Sequence, residues 1–428
     1  METWTHPEVP PLGFTPDLNL YDSDNEDICR VETRRPTLYT CGITPYDATH
    51  LGHAFTYVSA DTLVRYWLAA GLPVRYAQNI TDIDDPLFER AEQTQVDWRE
   101  LADSQIALFR SDMDALRVVP PGNWVAVSEV LDEVEAVVRD FEARGLTYRL
   151  PNGDGSEDIY VDLTRDPSFA AAPVFEYLDL EQIFDEHGGD STRPGKRRTL
   201  DPLVWKGVRG NDFRPAGEKP GFWRPGWHVE CALIARTYLG EHITVQAGGR
   251  DLLFPHHEMS ESHLREMTDD RGRVDIHFHV GMVAYQGEKM SKSLGNLVRV
   301  SELTAAGAHP SAIRLVLLAN HYRSDWEYEA SALRDAEARL ESWQQAARGA
   351  LATAAGVASS PETSAVSPSN TSTELDPTCR ALIDAISDDL DTPQALRILD
   401  DWAASGAPNA GQVVRAVDAL LGIQLLAN

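Results

Sequence analysis

A thiol and two imidazoles crowd into one short stretch, CGITPYDATHLGHA, as Cys41, His50 and His53. Gly42 and Gly52 stand beside them and allow a ligand to approach the backbone closely. The stretch follows the apolar run TLYT and opens an apolar helical pattern, so HLGH would sit on the first turn of a helix. Helix N-terminal amides there can bind an anion, and the two imidazoles add donors for phosphate oxygens. Two surface histidines in a loop would look the same on this stretch alone. A second candidate is KMSKS, with Lys289 and Lys292 three residues apart. On a mobile loop these cations can clamp a triphosphate, although a solvated charge run has the same composition. Elsewhere, Cys231 lies in GWHVEC, and His256 and His257 lie in FPHHE. Two thiolates and an imidazole carried by the edge of one sheet suit zinc. The spacing is not that of a local zinc finger, and a small buried cysteine on a helix is equally ordinary. Cys29 and Cys379 lie in no motif and read as structural.

These residues need a frame. PTLYT (36–40) has strand character, HAFTYVSADTLVRYWLAAG (53–71) helical character, and PVRYAQNI (73–80) strand character again. Strand, helix, strand with short loops begins a parallel α/β sheet. Helical spacing recurs over 97–116 and 127–144, and LPNGDGSEDIYVDL (150–163) predicts a hairpin. The α/β pattern resumes with a helix over 228–240, a strand over 242–249, a helix over 254–267 and a strand over 274–283. From Pro310 to Arg348 the pattern is helical throughout, and residues 352–377 form a linker rich in Ser, Thr, Ala and Pro. The expected organisation is an arm over 1–36, a sheet domain split into 37–117 and 226–309, an insertion over 118–225, and a helical region over 310–428.

Composition narrows the function. Hydrophobic content of 43% and charged content of 25% fit a globular chain, and no apolar run has the length of a membrane span. Four cysteines in 428 residues do not make a disulfide framework, and no secretory signal is present, so the cytoplasm is the expected location. A net charge of −29, from 38 basic and 67 acidic residues, disfavours wrapping a large polyanion.

HLGH after the first strand and KMSKS after the last, about 240 residues apart, together resemble the paired signature of class I aminoacyl-tRNA synthetases. That resemblance implies adenylation, in which a carboxylate attacks the α-phosphate of ATP and pyrophosphate leaves. Adding NITDIDD, PGWHVECA, GGRDLLFPHHE and EKMSKSLGN makes the set similar to cysteinyl-tRNA synthetases over about residues 37–330. In that family a catalytic zinc holds the thiolate of substrate cysteine, and serine, lacking the soft sulfur, is rejected.

Three departures are visible. Ile43 replaces a proline, Ser260 stands where the synthetases carry a ligating glutamate, and residues 378–428 hold three basic residues against seven acidic ones, a net of 3 − 7 = −4. With EHGGDSTRPGKRRTLDPLVW, they resemble the actinobacterial mycothiol ligases, where cysteine is joined to the amine of glucosaminyl-inositol. In that family the central segment usually reads ERGGDP; here His187 and Ser191 replace two of its residues.

The resemblance implies a Rossmann-like class I synthetase α/β fold with an inserted connective segment and a C-terminal helical bundle. It implies zinc on Cys41, Cys231 and His256, with the substrate thiolate as fourth ligand. Gly42, Ile43, Thr44 and Thr56 would line the adenylate, Asn79, Ile80 and Thr81 the aminoacyl part, and Trp227 the cysteine pocket. Gly249, Arg250 and Asp251 would hold ribose and adenine, Val283 the adenine through its backbone. His50, His53, Lys289 and Lys292 would stabilise the phosphates, with Mg²⁺. His257 and Asp251 are candidate bases for the second step. The implied enzyme is a carbon–nitrogen ligase using L-cysteine, ATP and glucosaminyl-inositol. A truncated cysteinyl-tRNA synthetase is the alternative acceptor reading, disfavoured by Ile43, Ser260 and the acidic C-terminus. A non-catalytic synthetase-like binding module fits least, because the histidine, lysine and zinc positions are all intact.

Overall fold

The computed structural model describes residues 1–47, 49–207, 224–290, 295–358 and 375–426. The N-terminal segment runs extended into a hairpin of β1 (Asn19–Asp22) and β2 (Asp27–Arg30). It is anchored by buried Trp4, Leu18 and Leu20. Strand β3 (Thr37–Thr40) leads to helix α1 (Leu51–Ala69) and then to β4 (Arg75–Ile80). Helix α2 (Asp85–Thr94) carries no sustained apolar stripe that the sequence reading could detect. It is set by its local signals: Asp84 caps it, accepting from the Asp85 amide at 2.9 Å, and Pro86 occupies the first turn. Helix α3 (Trp98–Ala115) and strand β5 (Asn123–Ala126) follow.

The insertion holds α4 (Leu131–Ala143), the hairpin β6 (Thr147–Pro151) and β7 (Glu157–Val161), α5 (Leu180–Glu186), β8 (Leu203–Lys206) and β9 (Arg224–Pro225). Helix α6 (Trp227–Leu239) returns the chain to β10 (His242–Gly249), an irregular turn over Leu253–His257, α7 (Glu258–Met267) and β11 (Arg273–Val280). A small sheet of β12 (Val283–Tyr285), β13 (Glu288–Lys289) and β14 (Trp326–Glu327) encloses α8 (Val300–Ala305) and α9 (Pro310–Leu318) in chain order. Helices α10 (Ala330–Ala358), α11 (Pro377–Ser387), α12 (Thr392–Ala404) and α13 (Ala410–Leu421) finish the chain.

Five strands form one all-parallel sheet in the order β11-β10-β3-β4-β5. The chain starts in the middle, winds outward through β4 and β5, and returns to the other side of β3 through β10 and β11. The order therefore reverses between β3 and β10, and the carboxyl ends of those strands diverge into a crevice there. Two expectations change. Strand β5 pairs with β4, so the parallel sheet reaches beyond residue 118, where the insertion was expected to begin. The helical pattern from Pro310 is broken after Leu318 by a loop and by β14, because Trp326 and Glu327 pair with Val283 and Ala284. No helix among the described residues is long and apolar enough to cross a membrane.

Candidate active site

A cavity of 520 Å³ opens at that crevice. At one end stand Cys41, just beyond β3, Cys231 on α6 and His256 on the turn before α7. Their sulfur and nitrogen ligand atoms all lie within 4.8 Å of one another, and all three residues are buried. Burial pushes the Cys231 thiol up, and Cys41 beside it adds to the effect, so a thiolate there calls for a cation. Burial also holds His256 well below the ordinary histidine range, which keeps it neutral, and its Nδ1 has no hydrogen-bond partner among the described residues. Two thiols and a neutral imidazole converging in this way are a zinc-type donor set.

Neighbouring side chains fix this trio. Trp227 stacks on His256 with ring centroids 4.2 Å apart. His257 Nε2 lies 3.2 Å from Cys41 Sγ, and its Nδ1 lies 2.7 Å from His279 Nε2. With both nitrogens engaged, and its pKa pushed down to about 3 by burial, His257 is withdrawn from the role of base left open for it. Ser260 donates its hydroxyl to the His228 carbonyl at 3.2 Å, and Glu261 is taken up by His277 at 2.9 Å. Neither therefore offers the trio a fourth ligand.

The loop after β3 is held by Asn79. Its Oδ1 accepts from the Gly42 amide at 2.8 Å and the Tyr39 hydroxyl at 3.1 Å, while its Nδ2 donates to Thr81 at 3.0 Å. A Cβ on Gly42 would lie 1.6 Å from the Asn79 carbonyl oxygen, so only glycine fits. At the cavity's other end His50 caps α1, its Nδ1 accepting from the amides of Gly52 at 3.0 Å and His53 at 3.4 Å. The neutral ring therefore carries its hydrogen on Nε2, as a donor. The His50 and His53 rings stack at 3.9 Å.

Most expected residues meet here: Cys41, Gly42, Ile43, Thr44, His50, His53, Thr56, Asn79, Thr81, Trp227, Gly249, Asp251, His256 and Val283 all line the cavity. Two expected contacts do not. Ile80 is completely buried in the main core, because alternation along β4 turns Asn79 and Thr81 to one face and Ile80 to the other. Arg250 turns away to pair with Asp325 at 3.0 Å and to donate to the Arg323 carbonyl. The backbone of Lys289 lies on β13 opposite Ala284, and Lys292 is outside the described residues. Tyr46, His187, Leu252 and Met282 also line the cavity. Tyr46 and Leu252 lie inside quoted motifs and His187 inside the central segment; Met282 lies in none of them.

Residues 28–338 match the family described as tRNA synthetases class I (C) catalytic domain. The chain is 48% identical to the L-cysteine:1D-myo-inositol 2-amino-2-deoxy-alpha-D-glucopyranoside ligase of Beutenbergia cavernae, over 99% of this chain and 100% of that one. It is 46% identical to the ligase of the same name from Cellulomonas flavigena, with the same two coverages. The chain belongs to this ligase family. Among solved structures, methionyl-tRNA synthetase of Mycobacterium tuberculosis in complex with methionyl-adenylate matches with a TM-score of 0.62 and 16% identity, over 92% of this chain and 88% of that one. A leucyl synthetase from Agrobacterium radiobacter matches with a TM-score of 0.60 and 12% identity, over 90% of this chain and 83% of that one. The fold is that of the class I synthetases, with the site at its sheet's switch point.

Proposed function

We infer that the protein adenylates L-cysteine with ATP and transfers the cysteinyl group to the amine of 1D-myo-inositol 2-amino-2-deoxy-α-D-glucopyranoside, the step that serves mycothiol biosynthesis. One observation carries the reading: a single cavity is lined at one end by Cys41 and His256, with Cys231 within 4.8 Å of both, and at the other by the stacked His50–His53 pair. A cysteinyl-adenylate has its sulfur at one end and its phosphate at the other.

Cys41, Cys231 and His256 would hold zinc, which would take the thiol of substrate cysteine as a thiolate and discriminate against a hydroxyl. Trp227 walls that end, and Thr44 and Thr81 offer hydroxyls along the aminoacyl part. The cysteine carboxylate attacks the α-phosphorus of ATP, the bond to the bridging oxygen breaks, and pyrophosphate leaves. His50 and His53, on the first turn of α1, donate to the phosphate oxygens as charge builds, with Mg²⁺ and the lysines of KMSKS accompanying the nucleotide. The acceptor amine then attacks the carbonyl carbon, the bond to AMP breaks, and the amine gives up a proton. Asp251 is the remaining candidate to take it.

The test incubates purified protein with ATP and cysteine, adding either the amino-sugar acceptor or tRNA. AMP release driven by cysteine and the amino sugar is expected. Release driven by tRNA alone would overturn the reading.

A further inference from the structure

A second cavity, of 510 Å³, adjoins the first and shares Thr44, Tyr46, His187 and Trp227 with it. We propose that this cavity holds the acceptor, a polyhydroxylated amine, with the His228 ring and the Asp84 carboxylate as its hydrogen-bonding groups. The inference rests on the reading just given, since it names where that reaction's second substrate sits.

Four observations support it. First, the shared wall is also the wall of the aminoacyl end, so an amine in the second cavity can reach the carbonyl carbon by passing Trp227 and Thr44. Second, the volume is that of a small-molecule pocket and falls within the usual range of about 300–1,000 Å³. Third, His228 lines this cavity and is 7% exposed, yet neither of its ring nitrogens has a hydrogen-bond partner among the described residues. A buried imidazole left open in this way costs free energy unless a ligand satisfies it. An imidazole in one tautomer offers one donor and one acceptor, a pairing suited to a hydroxyl. Fourth, the carboxylates of Asp84, Asp85 and Asp190 face the cavity against the cations of Lys206 and Arg224, with Asp190 already held by Tyr160 and by Lys196 at 2.9 Å. Lys206 pairs with Asp85 at 2.8 Å and Arg224 with Asp84 at 3.4 Å. An acidic wall whose cations are engaged repels a phosphate backbone and receives an ammonium and hydroxyls. Burial pushes the Asp84 carboxyl up to about 6 despite Arg224 and Lys206, so a further positive charge there would be favourable. The central segment enters the same picture, because His187, Gly188, Gly189 and Asp190 form one side of the cavity.

The test is steady-state kinetics on His228→Asn and Asp84→Asn in the full chain. Cysteine-dependent ATP–pyrophosphate exchange, which needs no acceptor, is measured in parallel as the check on folding and adenylation. Each variant is expected to raise the KM for the amino-sugar acceptor by roughly tenfold, with exchange within about twofold of the parent. An unchanged acceptor KM in both variants, with the parent still using the amino sugar, would overturn the acceptor site and leave the proposed reaction standing. No amino-sugar-dependent AMP release by the parent would overturn the proposed reaction, and the site with it.

Discussion

The middle of α1 and the cluster around α6 handle buried polar groups in opposite ways. Asp61 of α1 is buried, and both its oxygens accept hydrogen bonds. Its Oδ1 accepts from the Val119 amide at 2.7 Å, and its Oδ2 accepts from Arg65 Nε at 2.7 Å and from Arg314. Arg65 donates further to the carbonyls of Asp418, at 2.9 Å, and Arg117, and Arg314 to those of Leu116, at 2.8 Å, and Leu421. Burial alone would raise the Asp61 carboxyl, but the two guanidinium groups hold it below its ordinary value. Around α6 and the turn before α7 the pattern inverts. His256 Nδ1 and both His228 ring nitrogens are buried with no hydrogen-bond partner among the described residues, and the Cys41 and Cys231 thiols converge beside them. A closed network fastens α1 to α9 and α13; an open one waits for ligands. Satisfaction of hydrogen bonds, rather than burial or charge, distinguishes these two clusters.

The sharpest way to break the contrast is to remove a donor from the open cluster. Cys231→Ala is expected to lose bound zinc and to lower cysteine-dependent pyrophosphate exchange by on the order of 10³-fold, with little change in melting temperature measured without metal. Full exchange in metal-free protein would refute the zinc role. Asp61→Ala should do the reverse. It leaves Arg65 and Arg314 buried without their carboxylate, which costs about 3–5 kcal/mol in denaturant unfolding. Exchange kinetics of the surviving folded fraction should stay near those of the parent.

A third buried cluster tests the same rule through pH. His277 sits between Asp22 at 3.0 Å and Glu261 at 2.9 Å, and Asp24 lies 3.5 Å away. The grouping of Asp24, Glu261 and His277 has the proximity of a metal site, but both His277 nitrogens are already bonded, so it is a closed network. Burial would lower the His277 pKa, and the carboxylates raise it well above the ordinary 6.5. Its folded-state value is raised, so its contribution is complete below about 6.5 and is lost as pH climbs through the raised value. His277→Gln is expected to cost about 2–3 kcal/mol in unfolding at pH 6, and the gap from the parent should narrow as pH rises. A gap that widens with pH would refute the assignment.

Much of this contrast was legible in the sequence, and the limits have physical causes. Strands β3, β4, β10 and β11 and helix α1 showed in their periodicity, because both faces of the sheet are covered and apolar runs result. The ligand trio and the histidine pair were legible as residue types tied to strand ends. The burial of Ile80 is hidden in the motif Asn79 to Thr81, because a strand turns its middle residue to the other face. The pairing of Arg250 is hidden because its partners, Arg323 and Asp325, are remote in sequence. Helix α2 escaped because caps rather than a stripe define it. The second cavity could not have been read at all. Its walls come from α2, α5, β8, β9 and α6, and only the tertiary fold makes them neighbours.

The smallest effect falls at position 260, where the two kinds of cluster are closest in sequence. Resemblance to cysteinyl-tRNA synthetases puts a metal-binding glutamate there, and this chain has Ser260, buried, donating to the His228 carbonyl. If Ser260 belongs to the closed kind of contact, Ser260→Ala removes one buried hydrogen bond and costs about 1 kcal/mol of stability. Zinc stoichiometry and exchange should be unchanged, because the trio keeps its three donors. If the hydroxyl instead belongs to the metal's surroundings, zinc affinity should fall by about 10–100-fold, as when a group supporting a ligand is removed. Zinc titration against a competing chelator separates the two. The first outcome is expected, since the geometry spends the Ser260 hydroxyl on the backbone of α6.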